Sequence, residues 1–262
     1  MSLKGLSLFN SDRKKKGGVL LALPSLHGFS RTEQLFRTSE LARAPFHIEP
    51  YLLLYKSPVS DARNECTQYF YEKTKLDYLY FWDHDMIPPP NWTHLIGRGD
   101  VVSGITFMWN GNRKPNQRLQ MNQFIINDQN VSETVIPVIR SAPYEVDQVG
   151  TACMVIHRRV FDKLGPRPFQ EPTGPDGKKQ MGEDMYFCRA VRGANFKITI
   201  IPSVQFNHVK EVGLNEVYET ICEMMKMAGE AGYQRAVEEI KAQVAASQPQ
   251  PNLDQQMGGG AA

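Results

Sequence analysis

The sequence has few cysteines and no long apolar run. Its four cysteines stand far apart, without a C-x-x-C pair or a spacing typical of a metal site, at Cys66, Cys153, Cys188 and Cys222. This usage argues against a disulfide framework and favours a reducing, cytoplasmic setting. No apolar stretch approaches the roughly 18 residues of a membrane span, and the N-terminus lacks the apolar region of a signal peptide. We therefore expect a cytoplasmic protein with no membrane partner.

An excess of charge of one sign is also missing. The chain has 30 Lys and Arg against 28 Asp and Glu, a net charge of +2, which neither favours nor excludes a polyanionic partner. The densest basic cluster, residues 13–16, lies in a polar N-terminal arm. It is either a solvated tail or a contact for nucleic acid. A length of 262 residues with 41% hydrophobic residues is enough for a large core.

Alternating strand and helix patterns occupy the first third of the chain. Apolar strands at 19–23, 51–55 and 76–82 are separated by helical patterns at 32–43 and 62–75. This βαβαβ order predicts an α/β fold with a mostly parallel sheet. We divide the chain into an arm at 1–18, a main domain at 19–210, C-terminal helices at 211–246 and a disordered tail at 247–262. An apolar stripe on the C-terminal helices suits core packing or a subunit contact, so oligomerisation through them is a candidate.

The later part of the main domain has weaker signals. We expect strands at 100–107, 151–157 and 197–201, a short helix at 160–164 and a hairpin at 123–139. Residues 109–123 are rich in Asn, Gln and Arg without periodicity, and we interpret them as a long polar loop.

The most informative segment is LDYLYFWDHDMIPPP at 76–90. An apolar, aromatic run predicts a central strand buried on both faces, and it ends at Asp83 and Asp85 before three prolines. If extended geometry continues to Asp85, both carboxylates point the same way and His84 points oppositely. Two hard oxygen ligands at a strand end suit Mg²⁺ or Mn²⁺ carrying a phosphate. The alternative is a pair of solvated turn aspartates.

Two further segments contain candidate chemical groups. Glu183 and Asp184 begin a helical pattern, where acidic residues serve either as helix-capping groups or as a general base. His208 follows the last predicted strand. A lone histidine is usually an ordinary side chain, but a neutral imidazole can also complete a Mn²⁺ site.

Together these segments resemble the GT-A glycosyltransferases, specifically the small family-2-like, phage-type members. The resemblance is carried, in the family's order, by DYLYFWDHDMIPPP, VDQVGTACMVIHRRVFDKLG and GEDMYFCRAVRGANFKITIIPSVQFNH, and it covers roughly residues 19–208. It implies a GT-A (Rossmann-like) domain in which helices flank a mostly parallel central sheet, here with a C-terminal helical extension. It also implies a metal-dependent enzyme that moves a sugar from a nucleotide-sugar to an acceptor hydroxyl.

The resemblance assigns roles to individual residues. Asp85 and His208 would ligate Mn²⁺ or Mg²⁺, and Asp83 would contact the ribose, or the metal through water. Asp184 would be the catalytic base, with Glu183 the less favoured choice, and a base acting in a single displacement implies inversion. The nucleotide-sugar, with a UDP-sugar favoured, would be bound by eight residues: Pro24, Asp61, Arg63, Asn64, Asp83, His84, Gly150 and Thr151.

The acceptor is left open by the sequence. The phage-type resemblance and the basic arm favour a hydroxymethylated base in phage DNA, which would place the protein in the host cytoplasm. A protein or glycan acceptor is the alternative. A flipped base would need stacking and phosphate contacts, for which the polar segment offers four candidates: Trp109, Arg113, Lys114 and Arg118.

Two other functional classes compete with this interpretation. A sugar nucleotidyltransferase or phosphohydrolase needs a glycine-rich phosphate cradle after the first strand, where LPSLHGFSR offers only Gly28. A non-catalytic binding protein on a GT-A frame is the second class. The same segment departs from the common family pattern because no acidic residue follows the first strand. The choice between UDP and GDP is therefore open.

Overall fold

A computed structural model describes residues 18–25, 47–54, 57–129, 131–134 and 142–247. Six predicted features fall wholly or partly outside these ranges: the basic arm at 13–16, the segment after the first strand with Gly28, the helix at 32–43, the last residue of the strand at 51–55, the distal end of the hairpin at 135–139 and the tail from 248 onward.

The described chain alternates short strands with four helices. The helices are α1 (Val59–Lys73), α2 (Arg158–Leu164), α3 (Glu183–Gly193) and α4 (Leu214–Ser247), and 3-10 turns lie at Trp92–Leu95, Pro115–Gln117 and Thr151–Cys153. The strands are β1 (Val19–Ser25), β2 (Ile48–Leu54), β3 (Tyr78–Phe81), β4 (Met86–Ile87), β5 (Val101–Ile105), β6 (Phe107–Trp109), β7 (Leu119–Met121), β8 (Gln123–Ile126), β9 (Ser132–Thr134), β10 (Tyr144–Val146), β11 (Gln148–Val149), β12 (Met154–His157), β13 (Ile198–Gln205) and β14 (Asn207–His208).

A seven-stranded sheet in the order β10-β13-β5-β12-β3-β1-β2 forms the centre of the fold. Strand β1 pairs in parallel with β2 and β3, and β5 pairs in parallel with β13, whereas β12 is antiparallel to both of its neighbours. The predicted fold class, an α/β protein with a mostly parallel central sheet flanked by helices and a C-terminal helical extension, is confirmed. Because β1, β3, β5 and β13 run the same way, their carboxyl ends share one edge of the sheet.

Strand β3 is buried on both faces, as its apolar run predicts. Leu79 and Phe81 pack into one core layer with Phe70 of α1, and Tyr80 and Trp82 pack into the opposite layer. The second layer contains Trp92, whose ring lies 5.0 Å from that of Trp82 in an edge-to-face arrangement. The two-residue period of a strand explains this division. Packing in both layers thus fixes the end of β3 directly before Asp83 and Asp85.

The segment at 109–123, predicted to be one long polar loop, includes the end of strand β6 and all of strand β7. Strands β6 and β7 pair antiparallel, with Phe107 opposite Met121 and Trp109 opposite Leu119. Strands of three residues are too short to show a period, which is why sequence analysis missed them. The neighbouring hairpin prediction is confirmed in its described part, where β8 pairs with β9 around a turn in which Asn127 Oδ1 accepts hydrogen bonds from two backbone amides.

The chain divides into two compact units. One contains the central sheet, up to Trp109 and from Leu119 to Glu211; the other contains Asn110–Arg118 and the chain from Val212 onward, including α4. Gly229, with φ +68°, interrupts the helical backbone of α4, a conformation that glycine adopts without a steric penalty. No helix in the described ranges combines the length and apolar character that crossing a membrane requires.

Candidate active site

The chain turns immediately after β3 and separates the two aspartates. The Asp83 amide donates to Ala152 O at 3.1 Å, and the Met86 amide donates back to Asp83 O at 3.0 Å, closing a turn through His84 and Asp85. Extended geometry therefore does not continue to Asp85, and the expectation of two carboxylates aligned by strand periodicity is wrong. Each carboxylate has its own cationic partners.

Asp83 is paired with a buried arginine from α1. Arg63 Nη1 and Nη2 donate to the two Asp83 carboxylate oxygens at 3.1 and 3.2 Å, and Arg63 Nε donates to Glu183 Oε1 at 3.3 Å. Burial of Arg63 opposes its charged form, but the Asp83 and Glu183 carboxylates outweigh burial and raise its pKa. The guanidinium thereby joins the end of β3 to the first turn of α3.

Asp184 lies beside this network without a cationic partner of its own among the described residues. Its Oδ1 accepts the amide of Met185 at 2.8 Å. Burial, and next the charge of Glu183, raise the Asp184 pKa from 3.8 to about 6. Gly182 makes room for this carboxylate, because an added Cβ there would lie 2.8 Å from Asp184 Oδ1. A desolvated carboxylate with this pKa has the properties of a general base.

Asp85 contacts His208 although 123 positions separate them in sequence. Antiparallel pairing of β4 with β14 places His208 opposite Met86, and His208 Nε2 lies 3.0 Å from Asp85 Oδ2. Lys210 Nζ lies 2.5 Å from the same oxygen. Burial favours the neutral acid, but the hydrogen bonds from His208 and Lys210 outweigh it and lower the Asp85 pKa. The structure thus brings together the two residues predicted to ligate a metal.

The chemistry of this pair fits a divalent cation. His208 Nδ1 lies 2.7 Å from Phe107 O, and an Nδ1–H donated to that carbonyl fixes the ring. Nε2, 3.0 Å from Asp85 Oδ2, then either carries the second proton, which makes the hydrogen bond to Asp85, or gives up that proton and presents a lone pair to a metal ion. Carboxylate oxygens suit Mn²⁺ or Mg²⁺, and of these two the transition metal Mn²⁺ is the better match for an imidazole nitrogen. Among the described residues no cluster of three or more His, Cys, Asp or Glu could hold a metal, so further ligands would have to come from outside these side chains.

The segment at 150–153 lies against the end of β3. Thr151 is buried, and its Oγ1 has no hydrogen-bond partner within the described part of the chain; the same holds for Thr106 Oγ1, just after β5. The backbone of Asn122 connects these two positions, because its N–H donates to Thr106 O at 3.0 Å and its carbonyl oxygen accepts from Gly150 N at 3.2 Å. A Cβ on Gly150 would lie 1.8 Å from the side-chain amide nitrogen of Asn122 and would overlap it. Two buried hydroxyls with spare hydrogen-bonding capacity thus lie beside the strand ends.

The other nucleotide-sugar candidates make contacts within the fold. Asn64 exchanges two hydrogen bonds with the Phe169 backbone at 2.7 and 2.9 Å, so both ends of its amide are engaged within the fold. Asp61 forms an exposed ion pair with Arg167 at 3.4 Å. Pro24 is buried in β1 opposite Leu53. His84 is half-buried in the turn after β3.

The predicted acceptor-binding residues divide between the two units. Trp109 ends β6 in the unit of the central sheet. Arg113, Lys114 and Arg118 belong to the other unit, where Arg118 Nη1 pairs with Glu219 at 3.0 Å and bonds to Glu216 O at 3.2 Å. Arg113 and Lys114 are exposed. Arg118 is thus engaged within its own unit.

Sequence analysis missed three residues of this region: Thr106, Asn122 and Lys210. Lys210 follows His208 by two positions, a proximity that could have suggested it. Thr106 and Asn122 carry no motif, and only the arrangement of β5, β7 and β11 brings them near Gly150.

Comparison with known proteins shows the fold but not the family. No family model matches the chain, and no curated protein matches it in sequence. Among solved structures, the chain is similar to A197 from STIV, with a TM-score of 0.50, 18% identity, and coverage of 74% of this chain and 86% of that one.

Two other structures are more distant. GalNAc-T7, solved with UDP, GalNAc and Mn²⁺, has a TM-score of 0.44 and 14% identity, and the match covers 77% of this chain and 45% of that one. The inositol-1-phosphate CTP transferase from T. maritima has a TM-score of 0.42 and 9% identity, with coverage of 79% and 97%. Neither of these two structures carries an inference about this chain, and the similarity to A197 shows a shared fold alone.

Proposed function

We propose that this chain is a metal-dependent, inverting GT-A glycosyltransferase of the family-2-like, phage-type kind, which moves a sugar from a nucleotide-sugar to an acceptor hydroxyl. One observation carries the proposal. The Asp85–His208 pair follows β3 directly, and Arg63 joins Asp83, at the same strand end, to the helix start that bears Asp184. The proposed metal ligand Asp85 and the Arg63 network that leads to Asp184 therefore both begin at the carboxyl end of β3.

Asp184 takes the proton of the attacking hydroxyl in this proposal. With a pKa of about 6 it is ionised at neutral pH, and its burial makes it more basic than an exposed carboxylate. Glu183 is the poorer candidate because Arg63 already neutralises it at 3.3 Å. A single displacement assisted by one base inverts the anomeric carbon.

Asp85 and His208 would hold Mn²⁺ or Mg²⁺, which when bound supplies Lewis-acid neutralisation of the diphosphate leaving group. Thr106 and Thr151 offer buried hydroxyls for the hydroxyl groups of the donor sugar. Asp83, His84 and Gly150 are proposed to line the nucleotide-sugar pocket, with a UDP-sugar favoured. Arg63 and Asn64 would contribute by holding Asp83 and the Phe169 backbone in place.

The acceptor class is proposed from the sequence alone. A hydroxymethylated base in phage DNA, modified in the host cytoplasm, is the first choice, and a protein or glycan hydroxyl is the alternative. Arg113 and Lys114 are exposed and available to a polyanion, whereas Arg118 is engaged by Glu219. We expect any contribution to phosphate binding to come from the first two.

The test combines UDP- and GDP-sugars with Mn²⁺ and hydroxymethylcytosine DNA, a protein mixture or glycans in separate reactions. If the protein transfers sugar, nucleoside diphosphate should be released only when acceptor is present. The mass of the acceptor should increase by that of the added sugar. Asp184→Asn should lower the rate about 10²–10⁴-fold, the usual contribution of a general base.

Asp128→Asn, on the exposed hairpin turn, is the matched control and should leave the rate unchanged. Pyrophosphate release from a nucleoside triphosphate would instead identify a nucleotidyltransferase. Full activity of Asp184→Asn would contradict the assignment of the base.

A further inference from the structure

Lys210 and His208 contact the same oxygen of Asp85. Lys210 Nζ lies 2.5 Å from Asp85 Oδ2, and His208 Nε2 lies 3.0 Å from it. The Lys210 side chain is 44% exposed, whereas Asp85 is 17% exposed. A flexible, partly solvated ammonium therefore neutralises a largely enclosed carboxylate.

The ammonium is bound to the same carboxylate oxygen that a metal ion between Asp85 and His208 would use. A divalent cation binds a carboxylate oxygen at about 2.0–2.2 Å, so an ammonium hydrogen-bonded to that oxygen would lie close to the metal. The two positive charges would also repel each other. Since four rotatable bonds and partial exposure let the Lys210 side chain swing away, displacement requires no change in the backbone.

We propose that Lys210 is the resident counter-cation of Asp85, and that metal binding depends on displacing it. This inference rests on the proposed function, because it takes Asp85 and His208 as the metal ligands. A metal ion that binds alone would take Asp85 from Lys210 and leave the ammonium without a counter-anion. A metal ion that binds together with a diphosphate would supply both a cation for Asp85 and a new anion for the ammonium. Lys210 thus makes the affinities for metal and nucleoside diphosphate interdependent.

Mn²⁺ binding provides a readout that needs no sugar transfer. The full chain is titrated with Mn²⁺ alone, with UDP and with GDP, and free Mn²⁺ is followed by electron paramagnetic resonance. Lys210→Gln removes the charge but keeps a long polar side chain. We expect Lys210→Gln to bind Mn²⁺ alone about threefold to tenfold more tightly than wild type, the range for a partly exposed, charge-assisted ion pair.

The gain in Mn²⁺ affinity on adding the nucleoside diphosphate should shrink by a similar factor in Lys210→Gln. Lys210→Arg, which keeps the charge, should behave as wild type. Lys197→Gln is the matched control, since Lys197 is an exposed lysine paired with Glu145 at 2.6 Å and should have no effect.

Two outcomes would overturn the inference. If Lys210→Gln and wild type bind Mn²⁺ equally, with and without nucleotide, Lys210 does not compete with the metal, while the proposed metal site stands. If neither protein binds Mn²⁺ even with UDP or GDP, both this inference and the metal-dependent function fail.

Discussion

Arg63 donates two hydrogen bonds to the two carboxylate oxygens of Asp83, at 3.1 and 3.2 Å. This fork-to-fork geometry is the strongest form of an arginine–carboxylate pair. The remaining Arg63 Nε reaches Glu183, 120 positions away in sequence. One buried guanidinium thus fixes the end of a central strand relative to the helix start that presents Asp184.

Removing this guanidinium should destabilise the protein. Arg63→Met removes the bidentate partner of Asp83 and the nearer of two cations beside Glu183, and we expect the free energy of unfolding to fall by about 2–4 kcal/mol, somewhat less than for a fully buried pair because Asp83 is 25% exposed. Urea denaturation followed by circular dichroism measures the change. Arg167→Met is the control, because its ion pair with Asp61 is exposed and should contribute less than about 1 kcal/mol. Equal effects of the two substitutions would contradict the role of Arg63.

The raised pKa of Asp184 predicts a specific dependence of stability on pH. Since the folded-state pKa of about 6 exceeds the value of 3.8 for a free carboxyl, the folded protein binds the proton more tightly than the unfolded chain. The stabilising contribution is fully present below pH 4 and is lost as pH rises through 6. Relative to wild type, Asp184→Asn should therefore gain up to about 2 kcal/mol between pH 4 and pH 8.

Parallel denaturation curves of wild type and Asp184→Asn across this pH range test the expectation. Asp176→Asn, on an exposed turn, serves as the control for loss of a carboxylate. A stability difference that stays constant from pH 4 to pH 8 would show that Asp184 is not perturbed. Under the proposed function, in which Asp184 is the base, the same titration predicts that transfer activity rises with pH through about 6.

Arg158 should stabilise the opposite edge of the sheet. Its guanidinium donates to the carbonyls of Phe70 and Tyr71 in the last turn of α1, and to those of Thr74 and Leu76 in the segment that follows, at 2.7–3.2 Å. Arg158→Met should lower the free energy of unfolding by about 2–4 kcal/mol. Its neighbour Arg159, 57% exposed and paired with Asp100, provides Arg159→Met as a control expected to cost less than about 1 kcal/mol. Similar losses for both variants would contradict this prediction.

Gly104 should not tolerate a side chain. A Cβ at this position in β5 would lie 2.5 Å from the backbone oxygen of Val204, which cannot move as a side chain could. We expect Gly104→Ala to destabilise the protein by about 1–3 kcal/mol, measured as a lower melting temperature. Gly193→Ala, at the end of α3 with no heavy atom near the added Cβ, should be neutral or slightly stabilising. An unchanged melting temperature for Gly104→Ala would show that β5 and β13 can separate locally.

Local patterns in the sequence were sufficient for the elements that carry the site. The aromatic run before Asp83 predicts a strand buried on both faces, and alternate residues of β3 do pack into opposite core layers. The acidic pair after Gly182 predicts the start of α3. These predictions succeed because periodicity and capping depend on residues close together in the chain.

Contacts between distant segments were decided only by the tertiary structure. The sequence supplied Asp85 and His208 as separate candidates, but the pairing of β4 with β14 brings them within 3.0 Å and adds Lys210 to the same oxygen. The insertion of antiparallel β12 between β3 and β5 likewise carries Thr151 toward the end of β3. An apolar pattern in the sequence predicts that a strand is central, but it does not predict which strands pair with it. Register and the choice of ion-pair partners depend on the packing of the whole sheet.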